Sequence, residues 1–122
     1  MTSHIVVAVY LCAATCQPQQ LRVWDGDSFL IGMKHGSERV RVLGLDTAEI
    51  DGKCSYEIQM AKKAKRRLAE LANGQRIQIL RNGKDKYGRT LARVLVNGND
   101  VSQILINEGL ARPWHGHREP WC

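Results

Sequence analysis

Between Ser55 and Asn73 the apolar residues change their period. Ile58, Ala61, Ala64, Leu68, Leu71 and Ala72 recur mostly at three- and four-residue intervals, which marks one stripe of an amphipathic helix. On either side the apolar residues alternate or run in short blocks, as strands do. Ser55 offers itself as the helix cap and Gly74 as its stop.

Five strand-like runs surround the helix: Leu21–Trp24, Ser28–Met33, Glu38–Leu45, Arg76–Leu80 and Thr90–Val96. Turn chemistry separates them at Asp25-Gly26-Asp27, Lys34–Ser37, Asp51-Gly52, Asn82-Gly83 and Asn97-Gly98. Asp100-Val-Ser-Gln103 has the form of a capping box and opens a short second helix that ends near Gly109. The tail from Arg112 to Cys122, with two prolines and two tryptophans, reads as irregular. Strands early and late around one helix predict an α+β domain, a small barrel or curled sheet with helices packed at an edge.

Residues 1–20 stand apart from the domain at 21–122. Ile5–Ala14 is apolar and of the length of a signal-peptide core, but no Lys or Arg precedes it. The alternative is a buried first β-strand, since Ile, Val and Tyr favour strands. The reading leans to export, hence to a secreted or periplasmic protein, with the cytoplasm as the other option. The run is too short to span a bilayer as a helix, and no stable membrane association is expected. Four cysteines allow two disulfides in three pairings. Structural disulfides fit the spacing better than a zinc site made from His115, His117 and Cys122.

The net charge of +6 and pI near 9.4 suit a polyanionic partner or plain solubility about equally. Lys62, Lys63, Lys65, Arg66 and Arg67 read as the solvated face of the helix. Arg39, Arg41, Arg81, Lys84, Lys86 and Arg89 fall on strands and loops instead.

Three segments carry the chemistry. Asp25-Gly-Asp27 alone is a turn, Asp46 with Glu49 alone a loop start, and Asp85-Lys-Tyr-Gly-Arg89 alone a polar hairpin tip. Jointly they place charge at three strand ends, where functional residues collect. Phosphodiester hydrolysis needs that set. Asp27, Asp46 and the Thr47 carbonyl are hard oxygens for a divalent cation. Arg41 and Arg89 are planar forks for phosphate, and Glu49 is a base for water.

At these residues the chain resembles the staphylococcal-nuclease-like, or thermonuclease, family. The motifs are Val23-Trp-Asp-Gly-Asp-Ser28, Arg41-Val-Leu-Gly-Leu-Asp-Thr-Ala-Glu49, Asp85-Lys-Tyr-Gly-Arg-Thr-Leu-Ala92 and Glu108-Gly-Leu-Ala111, and the match runs from about Leu21 to Ala111. The resemblance implies a five-stranded oligonucleotide-binding (OB) barrel with packed helices and calcium-dependent hydrolysis of DNA and RNA to 3′-phosphate ends. By it Asp27, Asp46 and Thr47 hold Ca2+, Arg41 and Arg89 bind phosphate, Glu49 is the general base, and Lys86 and Tyr87 lie beside the phosphate end of the nucleotide. Single strands are the favoured substrate and a monomer the expected state.

The chain departs from the family pattern at Ala48, where proline is usual before the glutamate, and at Ser28, where threonine is common. The family's long C-terminal helix and base-stacking aromatics have no counterpart in the tail, where His115 and His117 lie instead. A Cys122 disulfide and Trp121 packing are expected to stabilise the tail in that helix's place. The competing readings are a non-catalytic single-strand-binding module on the same barrel and a disulfide-stapled interaction protein.

Overall fold

The computed structural model describes residues 3–122. Six strands close into a barrel. β1 (Ile5–Cys12), β2 (Cys16–Asp25), β3 (Ser28–Ile31) and β4 (Glu38–Val42) pair antiparallel in chain order. β6 (Arg76–Lys84) lies parallel to β1 and antiparallel to β7 (Thr90–Val96). β7 then pairs in parallel with β4, Val40 opposite Thr90 and Val42 opposite Ala92, and shuts the sheet on itself. The α+β barrel is the expected architecture, with six strands in the cycle where five were expected.

The added strand is β1. Its inward residues Val7 and Val9 join the core, while Val6, Ala8 and Tyr10 face out. Apolar residues on both faces hid the period-two pattern. β2 runs through residue 20, so the stretch set apart at 1–20 shares a strand and a core with the domain at 21–122. Cys12 and Cys16 face each other at the hairpin tip and are disulfide-bonded.

The core is filled from alternate positions. Val23, Val40, Val42, Ile77 and Ala92 point inward and are fully buried, joined by Leu45, Val101 and Leu105. The run Glu38–Leu45 is not one strand. It breaks at Leu43-Gly44, where Gly44 takes a φ of 94° that a side chain would resist. The chain resumes as β5 (Leu45–Asp46), which pairs with β9 (Arg112–Pro113). β8 (Asn99–Asp100) turns back antiparallel on the end of β7 and leads into α2 (Val101–Asn107), where Asp100 is the cap as expected and its carboxylate accepts the Ser102 N–H at 2.8 Å.

Helix α1 (Ser55–Ala72) packs on β1 and β2 and buries Leu68, Ala69 and Ala72 in the barrel core. Its small residues permit a close approach. A Cβ on Gly26 would stand 2.6 Å from the Ala64 Cβ and 2.9 Å from Thr47 Cγ2. Ser55 is not its cap. Cys54 occupies that position and makes no side-chain cap hydrogen bond. Glu57, in the first turn, instead ties the preceding loop to the helix by accepting the Glu49 and Lys53 N–H groups.

The tail is fixed without a helix. Cys122 is disulfide-bonded to Cys54, and Trp121 is buried against Ala48, Ile50 and Ala61. Arg112 lies 3.9 Å over the Trp121 ring and donates to the Pro120 carbonyl. All four cysteines are thus in disulfides, and none is free for zinc. Among the described residues no helix is long and apolar enough to cross a membrane.

Candidate active site

β2 ends in a register shift at Trp24 and then a tight turn. Asp25 Oδ1 accepts the Asp27 N–H at 3.1 Å and the Ser28 hydroxyl at 2.7 Å, which fixes the turn and sends Asp27 inward. Asp27 is buried. Desolvation, followed by the neighbouring Asp25 charge, holds its carboxyl well above the usual range, and Arg41 only partly offsets them.

Arg41, from β4, lies alongside. Its NH1 sits 3.2 Å from Asp27 Oδ2, its NH2 donates to the Leu45 carbonyl at 3.3 Å, and its guanidinium is 6.0 Å from the Trp114 ring centroid. Arg89 directly precedes β7, the strand that pairs with β4, at the end of the β6–β7 hairpin. Asp85 aims it: Oδ1 accepts the Tyr87 and Arg89 N–H groups, and Oδ2 accepts the Arg89 Nε at 2.8 Å. Burial works against the Asp85 charge, but the Arg89 main chain and guanidinium and the Tyr87 N–H outweigh it and hold the carboxyl below its usual range.

Glu49 stands on the loop after β5, its side chain half exposed. Ala48 in place of proline does not leave this loop unsupported. Ala48 is buried in the small core under Trp121, and Glu57 Oε2 accepts the Glu49 N–H at 3.2 Å. The other Glu57 oxygen accepts the Lys53 N–H at 3.0 Å. These two main-chain donors, with Arg118 and Lys53 nearby, outweigh burial and depress the Glu57 pKa.

Asp27, Arg41, Glu49, Tyr87 and Arg89 therefore line one cleft of about 610 Å3. Asp46 and Thr47 are buried behind it. Arg118 reaches both: NH1 is 3.1 Å from Asp46 Oδ1 and 2.9 Å from Glu49 Oε1, and NH2 donates to the Thr47 carbonyl at 3.3 Å. Lys86 does not line the cleft; it stands at the hairpin tip, 5.2 Å from the Tyr87 ring. Four contributors escaped the sequence reading: Trp114, Arg118, Glu57 and the aiming role of Asp85. Glu57 left a trace as an acidic residue in the first turn of the helix. Trp114 and Arg118 left none, because the chain around them has no regular period.

Two carboxylates and a main-chain carbonyl are hard oxygen donors of the kind calcium and magnesium take. Asp46 Oδ1 is buried with no hydrogen-bond partner despite its ion pair, and a buried oxygen in that condition calls for a cation. The donor set therefore fits a divalent ion. Among the described residues no group of three or more His, Cys, Asp or Glu is gathered. Such an ion would complete its shell with other oxygens, as hard cations commonly do with water or phosphate.

The fold is a closed α+β barrel whose cleft gathers two arginines beside carboxylates. The family model "Staphylococcal nuclease homologue" matches residues 39–120. The thermonuclease of Staphylococcus intermedius is 40% identical over 94 residues, covering 75% of this chain and 55% of that protein. Endonuclease YncB of Bacillus subtilis is 36% identical over 94 residues, covering 75% of this chain and 44% of that protein. SPbeta prophage-derived endonuclease YokF of the same organism is also 36% identical, with 75% and 32% covered. The chain belongs to the staphylococcal nuclease family. It spans between a third and just over half the length of these relatives.

Proposed function

We propose that this chain is a calcium-dependent, sugar-nonspecific nuclease that hydrolyses phosphodiester bonds of DNA and RNA and leaves 3′-phosphate ends. The observation that carries this is the meeting of Arg41 and Arg89 in the cleft that Glu49 and Asp27 also line. Two guanidinium groups, one from β4 and one from the residue before its partner strand β7, can hold one phosphodiester and neutralise the charge that grows on it in the transition state. Glu49 stands at the wall nearest Asp46 and takes the proton of an attacking water. A bound cation, held by Asp27, Asp46 and the Thr47 carbonyl, supplies Lewis-acid polarisation of the phosphate.

The single-strand preference draws support from Tyr87 and Trp114, exposed at 63% and 44% on the cleft rim, where unpaired bases can stack. The chain works as a monomer in a secreted or periplasmic setting, a reading that the two disulfides favour. Incubation with single-stranded DNA, with calcium or with a chelator, tests the proposal. Cleavage in calcium alone supports it. Tight binding without cleavage in either condition would leave a non-catalytic nucleic-acid-binding module.

A further inference from the structure

We infer that Arg118 is an internal cation of the metal site, which competes with the divalent ion for the oxygens of Asp46 and Thr47 while it also pairs with the proposed base Glu49; this rests on the metal-dependent reading above. One guanidinium reaches three acceptors there: Asp46 Oδ1 at 3.1 Å, Glu49 Oε1 at 2.9 Å and the Thr47 carbonyl at 3.3 Å. The first and last belong to the donor set assigned to the ion. The other, Glu49, is the assigned base. A second positive charge on the same oxygens is repelled at contact distance, so ion and guanidinium exchange.

The tail is built for such an exchange. β9 anchors it beside β5, with Pro113 opposite Leu45 and Arg112 opposite Asp46. Cys122 anchors the other end to Cys54, and Trp121 is buried beside it. The intervening residues arch over the site and hold Arg118 at a high effective concentration. The Arg118 side chain is itself 41% exposed, and the Asp46 side chain only 3%. The guanidinium therefore leaves at little packing cost, whereas the carboxylate behind it cannot remain uncompensated. Asp46 Oδ1 meets Arg118 only as a 3.1 Å ion pair, outside hydrogen-bond geometry, which leaves it able to accept another cation. Arg41 plays the matching part on Asp27 at 3.2 Å, but from a barrel strand and with less freedom to withdraw.

The apparent affinity for the ion falls by the fraction of molecules in which the site is open. Calorimetric titration of calcium into the full chain, disulfides intact, tests this. Arg118→Ala is expected to bind calcium about tenfold more tightly than the wild type, within the usual range of such couplings. Arg118→Gln, which keeps the length without the charge, is expected to do the same. In chelator Arg118→Ala unfolds at lower urea than the wild type, and saturating calcium narrows the gap. Equal or weaker calcium affinity in both variants overturns the inference and leaves the calcium reading intact. Absence of calcium binding in all three proteins overturns both.

Discussion

Glu57 Oε2 accepts the main-chain N–H of Glu49 at 3.2 Å, so the first turn of α1 holds the loop that presents the proposed base. Its second oxygen holds Lys53, the other end of the same loop, at 3.0 Å. Glu57→Ala leaves two main-chain donors without their charged partner, at a cost on the order of 2 kcal/mol. Turnover should fall with it because Glu49 loses its support. Urea unfolding and single-turnover cleavage check both effects, and a variant with unchanged stability and rate contradicts the assignment.

The two disulfides should differ in what they contribute. Cys54–Cys122 closes a sequence separation of 68, Cys12–Cys16 one of 4. In the chain-entropy account the long closure contributes about 4 kcal/mol and the short one about 2. The double serine variant at 54 and 122 is therefore expected to show the lower denaturation midpoint of the two double variants. The reverse order would mean that tail packing, led by Trp121, already holds the structure without the bond.

Gly26 lies where a Cβ would stand 2.6 Å from Ala64 and 2.9 Å from Thr47. Gly26→Ala must push α1 away from the turn that carries Asp27. A cost of about 1–3 kcal/mol is expected, as for overpacking elsewhere, with weaker calcium binding because Thr47 moves too. Thermal unfolding and calcium titration of the variant measure the two effects.

Glu38, Arg81 and Thr90 join β4, β6 and β7 near the barrel closure. Arg81 bonds both Glu38 oxygens, at 2.7 and 2.8 Å, and the Thr90 hydroxyl adds a third bond at 2.7 Å. The Arg81 hydrogen bonds, against the opposing effect of burial and with help from Thr90, depress the Glu38 pKa from 4.5 to about 2. A depressed carboxylate stabilises the fold above its unfolded pKa and loses that contribution as pH falls toward the folded one. The stability gap between wild type and Glu38→Gln should thus be widest at neutral pH and shrink between pH 4.5 and 2. Solvent screening keeps the gap to about 1 kcal/mol or less. A gap independent of pH in urea melts would contradict the assignment.

Much of the fold was legible where one physical signal dominated. β7 runs from Thr90 to Val96 as its apolar run, closed by Asn97-Gly98, predicts, and α1 keeps to its apolar stripe from Ser55. β1 was ambiguous because Val6 and Tyr10 are apolar yet exposed. The break at Leu43-Gly44 was hidden because the apolar residues continue across it. Asp27, Arg41, Glu49, Tyr87 and Arg89 could be named from short motifs and do share a cleft. Trp114 and Arg118 could not, since they reach the site through β9 pairing and a disulfide 68 residues long, which no local pattern encodes.

The proposed catalysis depends on Arg41 and Arg89 gripping one phosphate in the cleft they share. The most direct measurement is the single-turnover cleavage rate of single-stranded DNA at saturating calcium, for wild type, Arg41→Ala and Arg89→Ala, each shown to be folded by its unfolding transition. Loss of either arginine should slow cleavage by a factor on the order of 10²–10³, as expected for one strong transition-state contact. Rates near wild type in both variants would contradict that role.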